Sequence, residues 1–384
     1  MWRNIASNAL TFLVVAVFLL GGMLIWAQQE YSAEGPLTQP ICVQVPRGST
    51  MRAVSRDLED QGAIISGAMF RVGADYTNKT QALKAGSFLV PEGASMAEIT
   101  DIVTRGGAST CGTEVVYRIG ITRATVQVRE LDPATGRYVE RAEFAPSDEE
   151  PAIYAKVRAA ADTRYRVALA EGVTSWQVVQ ELGEIGVLDG EVAVPDEGSL
   201  APDSYEIAPG DSMASLIERM QSAQDRILAE AWANRADGLP LDSPEEALIL
   251  ASIVEKETGN AQERFDVASV FVNRLNQGIR LQTDPTVIYG ITKGEGILGR
   301  GLRRSELDRE TPWNTYRING LPPTPIANPG RAAIEAVMNP SDTDYIYFVA
   351  KTLNPADGHN FAVTLDEHNR NVAAYRALEA ARDN

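Results

Sequence analysis

One carboxylate stands out by its placement. The segment Glu246-Ala-Leu-Ile-Leu-Ala-Ser-Ile-Val-Glu-Lys-Glu-Thr258 has helical spacing. At about 100° per residue, Leu250, Ile253, Val254 and Glu257 fall within one narrow face. Glu257 therefore extends an apolar stripe. Glu255 lies nearly opposite, beside Ser252, in the position of a solvated residue. Burial disfavours the ionised form of a carboxyl and raises its pKa. A carboxyl that keeps its proton near neutral pH is what general-acid chemistry uses. The competing reading puts Glu257 at the wet edge of the last turn, since Gly259-Asn260 can end the helix. Spacing leaves both open.

Polar groups that suit sugar hydroxyls follow. Arg280-Leu-Gln-Thr-Asp-Pro-Thr-Val-Ile-Tyr289 offers Gln282, Thr283 and Asp284, with Tyr289 available to stack on a ring. The loops Asn314-Thr-Tyr316, Gly320-Leu-Pro-Pro323 and Ile326-Ala-Asn-Pro329 add Asn314, Tyr316 and Asn328. Proline fixes such loops in rigid turns, the usual support for a cleft. His359 is a further candidate sugar contact or a structural residue. For each of these, an ordinary surface loop is the competing reading.

These residues need elements to hold them. Ser243-Pro244-Glu245-Glu246 predicts a helix start, with Ser at the N-cap, Pro in the first turn and Glu246 completing a capping box. A second amphipathic helix is predicted over Gln262–Asn276, buried through Ala268, Phe271, Val272 and Leu275. The two would place Glu257 at the mouth of a helix pair. Leu216, Met220, Ile227, Leu228 and Ala231 predict another helix within 215–235. Upstream, Gly48, Thr50, Val54, Leu58 and Gly62 recur as Gly172, Thr174, Val178, Leu182 and Gly186. Ser87-Phe88 and Ser95-Met-Ala97 recur as Ser204-Tyr205 and Ser212-Met-Ala214. The chain thus carries a duplicated strand, helix, helix-like stretch, strand, helix. Thr50 and Thr174 are placed as N-caps. Between the copies, residues 115–119 and 125–128 read as strands, with a turn at Asp132-Pro-Ala-Thr-Gly136 and an exit loop at 147–151.

The chain has 384 residues, 44% hydrophobic and 23% charged, with net charge −17 from 35 basic and 52 acidic residues. That excludes a collagen, a coiled coil and a largely disordered chain, and it argues against nucleic acid as a partner. Ala9–Ala27 is an uncharged, largely aliphatic run, long enough to span roughly 30 Å as a helix. Arg3 precedes it, with Glu30 and Glu34 after it, so the N-terminus is expected in the cytoplasm and the rest outside. A cleaved signal is the rival, but its apolar core is usually about 7–15 residues, and Leu24-Ile-Trp-Ala27 is a poor cleavage site. Cys42 and Cys111 both fall outside the membrane. They are a disulfide or two separate buried thiols, and spacing does not decide between them.

Other chemistries find little support. Two histidines cannot furnish a metal site by themselves. Gly294-Glu-Gly-Ile-Leu-Gly299 matches a dinucleotide fingerprint by letter, but no βαβ unit surrounds it, so it reads as a loop. No P-loop, nucleophile-elbow Ser or pyridoxal-phosphate Lys is recognisable, and no cofactor is expected.

Several ordered strings resemble the YceG-like family, endolytic murein transglycosylases of the MltG type. They are Leu250-Ala-Ser-Ile-Val-Glu-Lys-Glu-Thr258, Glu263-Arg264, Val267–Leu275, Leu281–Gly290, Asn314-Thr-Tyr316, Gly320–Pro323, Ile326–Pro329, Gly358-His-Asn-Phe361 and Pro202-Asp-Ser-Tyr205. The resemblance covers nearly all of the chain outside about 107–160. It implies cleavage of the bond between N-acetylmuramic acid and N-acetylglucosamine in nascent glycan strands, leaving 1,6-anhydro-muramyl ends and limiting strand elongation. It makes Glu257 the catalytic residue. One carboxyl would protonate the glycosidic oxygen and then take the proton of the muramyl 6-hydroxyl as that oxygen attacks the anomeric carbon, so no second carboxylate is required. The 2-acetamido group or polar residues around Gln282–Asp284 would stabilise the developing charge.

The expected fold class is α+β, with a single transmembrane helix, a LysM-like α/β module and a mainly helical catalytic domain with an associated β region. The expected limits are a cytoplasmic N-terminus at 1–8, the membrane helix at 9–27, a linker at 28–40 and the LysM-like module at 41–106. An inserted β-rich region at 107–162, a second copy of the pattern at 163–214 and the catalytic domain at 215–384 follow. The insertion is the departure from the family pattern and bears on how the module docks glycan. The protein is expected in the cell inner membrane with its catalytic domain periplasmic. Peptidoglycan strands, the membrane and wall synthases (penicillin-binding proteins) are the implied partners. A non-catalytic peptidoglycan-binding scaffold, with Glu257 structural, is the alternative.

Overall fold

The computed structural model describes residues 2–106, 109–160 and 162–382. Parts of the expected 1–8, 107–162 and 215–384 segments, namely Met1, 107–108, 161 and 383–384, lie outside the described residues. The architecture is mixed α and β.

The first helix, α1 (Trp2–Ser32), runs past the expected membrane segment. Among the described residues, Thr11–Ser32 is the one stretch long and apolar enough to cross a membrane, with mean hydropathy 2.1 and side chains such as Phe12 and Leu19 exposed. The helix continues where a linker was expected because Tyr31 is buried in the unit that follows. Its hydroxyl donates to Thr100 Oγ1 at 2.7 Å. Gly73 leaves room for that ring, since a Cβ there would overlap it.

The chain divides into two compact units. The first comprises residues up to Val116 with Gln127–Phe144 and Asp148–Tyr165; the second holds Tyr117–Val126, Ala145–Ser147 and the rest from Arg166. In the first, β1 (Ile41–Val45) leads to α2 (Met51–Asp60), α3 (Gly67–Tyr76), β2 (Gly86–Val90) and α4 (Met96–Thr104). β1 and β2 are antiparallel, with Ile41 opposite Val90 and Val45 opposite Gly86. Val43, Val54, Leu58, Phe70, Val90 and Ile99 fill the core between this ribbon and the helices. Each helix starts on a hydroxyl cap: Thr50, Ser66 and Ser95, the last in a full capping box with Glu98. Cys42 and Cys111 are disulfide-bonded, with Cα atoms 5.7 Å apart.

Next come β3 (Thr113–Ile119), β4 (Ala124–Asp132), β5 (Arg137–Phe144), α5 (Ala152–Ala159), β6 (Arg164–Leu169), α6 (Ser175–Gly183), β7 (Leu188–Asp189), β8 (Ser204–Ile207) and β9 (Asp211–Ser212). A five-stranded sheet has the order β5-β4-β3-β6-β8. The β4–β5 turn is held by Asp132, whose Oδ1 accepts from the Ala134 N–H, and by Gly136 at φ 64°.

Most of the duplicated residues adopt duplicated conformations, Gly186 being the exception, since it lacks the left-handed φ of Gly62. Gly48 and Gly172 both sit at φ near 79° (78° and 79°). Thr50 and Thr174 both cap helices, and Val54, Leu58, Val178 and Leu182 are all buried. The second copy departs in its middle. Instead of a helix-like stretch it has the short β7, which pairs in parallel with β9, and an irregular run to β8. Gly190, Pro195 and Gly198 break any helix there.

The rest of the second unit is helical: α7 (Met213–Ala233), α8 (Pro244–Glu257), α9 (Arg264–Asn276), α10 (Asp284–Thr292), α11 (Arg304–Leu307) and α12 (Arg331–Met338). The antiparallel pair β10 (Tyr347–Ala350) and β11 (His359–Ala362) precedes α13 (Leu365–Arg382). α8 is central, touching α7, α9, α10 and α12. Ala247, Leu250, Ala251, Ile253 and Val254 are each fully buried. Ser243 caps α8 through the Glu246 N–H, but Glu246 Oε2 accepts from the Asp242 N–H, so the expected reciprocal box is only half formed.

The Cys42–Cys111 bridge closes a loop with a sequence separation of 69, and disulfides typically contribute about 2–4 kcal/mol. Urea unfolding of the full chain in detergent, with and without reductant, is expected to show the first unit losing stability of that order on reduction. Coincident midpoints would contradict this.

Candidate active site

α8 carries Glu257 as its last residue, and the carboxyl is partly buried. The chain returns to it after α9. Gln282 takes a left-handed φ of 52°, and its N–H donates to the Thr315 carbonyl at 3.2 Å. That turn delivers Thr283, whose Oγ1 donates to Glu257 Oε1. Thr283 is itself fixed: its N–H donates to Thr315 Oγ1 at 3.1 Å, its carbonyl accepts from Thr286 Oγ1 at 2.8 Å, and Thr286 and Thr315 bond each other at 2.9 Å. Asp284, the first residue of α10, is exposed and accepts the Tyr316 hydroxyl at 2.7 Å.

Arg274 of α9 supplies positive charge. It is buried, with Nε donating to the Ile346 carbonyl at 2.6 Å and Nη1 to the Leu281 carbonyl at 2.8 Å. Its guanidinium lies 5.3 Å from the centre of the Tyr347 ring. Held by carbonyls, it acts on Glu257 as a fixed charge and not as an ion-pair partner.

These surroundings set the proton affinity of Glu257. Burial pushes its pKa up, the Thr283 hydrogen bond pulls it down, Asp284 pushes it up and Arg274 pulls it down. The result is about 7. Tyr316 is also raised, by burial and by donating to Asp284. A carboxyl that is half protonated at neutral pH can give a proton and take one back.

The structure thus gathers Glu257, Gln282, Thr283, Asp284 and Tyr316 at one place. It puts the other candidates to different work. Asn314 is fully buried; its Nδ2 donates to the carbonyls of Glu306, Leu307 and Arg309, and its Oδ1 accepts the Tyr316 N–H. Asn328 is also fully buried, bonded to Leu200, Val173 and Ser175. Both staple loops and have no free amide for a sugar. Tyr289 packs against the buried core, with its ring 6.1 Å from that of Trp313. His359 Nδ1 bonds Glu263 Oε1 at 2.7 Å, and the same oxygen accepts Thr258 Oγ1 at 2.7 Å. Burial raises Glu263, and the hydrogen bonds from Thr258 and His359 outweigh it, leaving its pKa low.

Glu255 requires a correction. It is not solvated: its side chain is 5% exposed, accepts the Gly330 N–H at 3.0 Å and faces Arg264 at 3.9 Å. The expectation failed because this side of α8 is covered by Arg264 and by the backbone at Gly330. Arg274, Thr315, Glu197 and Glu263 were missed. The α10 helix was missed as well, although Pro285 in its first turn was the available signal.

The raised pKa has a consequence for stability. The folded chain holds the Glu257 proton more tightly than a free Glu with its ordinary value of 4.5. The contribution of this group is therefore complete below pH 4.5 and declines as pH rises through about 7. Glu257→Gln removes that decline. By chemical denaturation in detergent, variant and wild type are expected to match near about pH 4, and the variant to be more stable at about pH 8.5, by ~3 kcal/mol at most. A difference that does not change with pH would contradict this.

The chain is similar to several known proteins. The model of the YceG-like family matches residues 43–374. A Streptococcus pneumoniae protein (serotype 2, strain D39 / NCTC 7466) named endolytic murein transglycosylase is 27% identical over 383 residues, covering 97% of this chain and 66% of that protein. The chain thus spans just under two thirds of the length of that relative. A Bacillus subtilis (strain 168) protein of the same name is 27% identical over 361 residues, covering 93% of this chain and 91% of its own length. A crystal structure of a yceG-like protein from Listeria monocytogenes aligns with 25% identity and a TM-score of 0.46, over 86% of this chain and 99% of that one. The match of the family model to residues 43–374 places the chain: it belongs to the YceG-like family.

Proposed function

We propose that this chain is a membrane-anchored endolytic lytic transglycosylase of peptidoglycan. It cleaves bonds between N-acetylmuramic acid and N-acetylglucosamine in nascent strands and leaves 1,6-anhydro-muramyl ends. The name shared by its relatives supports the substrate class. The observation that carries the chemistry is the carboxyl of Glu257, partly buried at the end of α8 and titrating near 7.

Glu257 enters the reaction protonated and gives its proton to the glycosidic oxygen. The carboxylate that remains accepts the proton of the muramyl 6-hydroxyl, and that oxygen closes onto the anomeric carbon. The same residue is acid and then base, so the group is regenerated within one turnover. Thr283 orients the carboxyl, and the Arg274 charge favours its ionised form at the midpoint. Water is not consumed, so the two-carboxylate spacing of hydrolases is not needed.

In this reading α1 is a single membrane span with the N-terminus cytoplasmic and the following units periplasmic, in the inner membrane of the cell. The module around 41–106 is LysM-like and holds glycan, and wall synthases are partners.

Glu257→Gln should lower release of anhydro-ended glycan from uncrosslinked strands by roughly 10²–10⁴-fold, read by mass spectrometry of products. Equal release by variant and wild type would leave the scaffold reading in place and overturn this one. Because the free enzyme must be protonated, kcat/KM should fall as pH rises through about 7. A plateau extending well above that pH would contradict the assignment of the acid.

A further inference from the structure

The glycine-rich run Gly294–Gly299, which matches no cofactor motif in context, forms one wall of a cavity of about 500 Å³. Other walls come from Ile121, Thr122, Gln177, Ile288 and Lys256. Lys256 precedes Glu257, and Pro285, another lining residue, follows Asp284. The cavity is thus lined by the chain neighbours of Glu257 and Asp284, although neither of those two residues lines it.

The loop is anchored at one end. Thr174 Oγ1 donates to the Gly294 carbonyl at 2.6 Å. Gly294 has φ 78°, and a Cβ there would press on Glu197, Thr174 and Tyr289 at 3.0–3.2 Å. Beyond that anchor Ile297 is 61% exposed, and Ile121 across the cavity is 41% exposed. Branched aliphatic side chains thus stand in water around the opening.

Of the two cations in this lining, Lys256 is the one without a direct ion-pair partner among the described residues. Its ammonium donates to the Gly172 carbonyl at 3.1 Å. Among the described residues no carboxylate lies within 4.0 Å of it, and Glu255 and Glu197 act on it only from farther away. Arg300, also in the lining, is already neutralised by two bonds to Glu306 at 2.6 and 2.9 Å. A partly buried ammonium without a direct partner favours an anionic ligand.

The walls also discriminate between ligands. Sugar rings are recognised by open aromatic faces and clusters of hydrogen-bonding groups. Here four of the lining residues, Ile121, Ile288, Ile297 and Leu298, are branched aliphatics, and Tyr289, the one aromatic in the lining, packs against the core with its ring 6.1 Å from that of Trp313. Small methyl groups with a single carboxylate fit better.

We propose that this cavity binds the short acidic peptide that branches from the lactyl group of the muramyl residue, with its methyl groups against the isoleucines and a carboxylate on Lys256. This rests on the peptidoglycan substrate proposed above. It makes the enzyme selective for strands that still carry their stems.

The test uses the full chain in detergent and two probes, the N-acetylglucosaminyl-N-acetylmuramyl disaccharide with and without an acidic tripeptide stem. By calorimetry, the stem should tighten binding to the wild type about tenfold or more. Lys256→Met should abolish that ratio and Lys256→Arg restore most of it. Ile297→Asp, at an exposed loop position where folding is not at stake, should lower the ratio through like charge. Equal affinity for both probes in the wild type, absence of binding to either, or a ratio unchanged in both Lys256→Met and Ile297→Asp overturns the proposal. Strand cleavage without stem preference would sink the pocket and spare the reaction. Stem preference in a chain that releases no anhydro ends would do the reverse.

Discussion

A carboxyl has been drawn partly out of water with, among the described residues, no direct counter-ion. That constraint organises the second unit of this protein. Glu257 closes a helix in which Leu250, Ala251, Ser252, Ile253 and Val254 are all buried, so its side chain leaves a low-dielectric wall. The nearest donor is a neutral hydroxyl, and the nearest guanidinium is tied to backbone carbonyls. A direct Arg pair would have driven the pKa down and fixed the group as an anion. Burial with no donor at all would have fixed it as an acid. The balance found here leaves both forms accessible near neutral pH.

Keeping that balance requires rigidity. Thr283 reaches Glu257 because three threonines interlock and because Gln282 accepts a left-handed backbone. On the other side of the helix end, Thr258 bonds Glu263, which also holds the backbone and ring of His359. The residues immediately around the carboxyl are thus braced from α9, α10 and β11. Small displacements at these braces would change solvent access to Glu257, and with it the proton affinity on which the chemistry depends.

The sequence revealed the acid and much of its support, for a definite reason. Helical periodicity places Glu257 on the same stripe as Leu250, Ile253 and Val254, and those residues are buried. The same logic failed for Glu255, because periodicity assumes a wet side opposite the apolar stripe, and at Glu255 that side is covered by Arg264 and the Gly330 N–H. Arg274 carries no signal in the sequence, since its partners are backbone carbonyls that any residues could supply. Asn314 and Asn328 misled in the opposite way. Asparagine in a proline-rich loop looks available for ligand, yet here each amide satisfies buried backbone groups. The duplicated Gly, Thr, Val, Leu pattern was legible because it encodes local geometry: a left-handed glycine, an N-cap and two buried helix positions. The missing middle helix of the second copy depends on Pro195 and neighbouring glycines outside that pattern.

The most direct test is to titrate Glu257 itself. Carboxyl carbon-13 resonances of selectively labelled Glu, assigned by difference against Glu257→Gln, would report its midpoint in the folded chain. A midpoint near 7 is expected. A midpoint at the ordinary carboxylate value of 4.5 would mean that the side chain is solvated, and the account of a shared acid and base would be wrong.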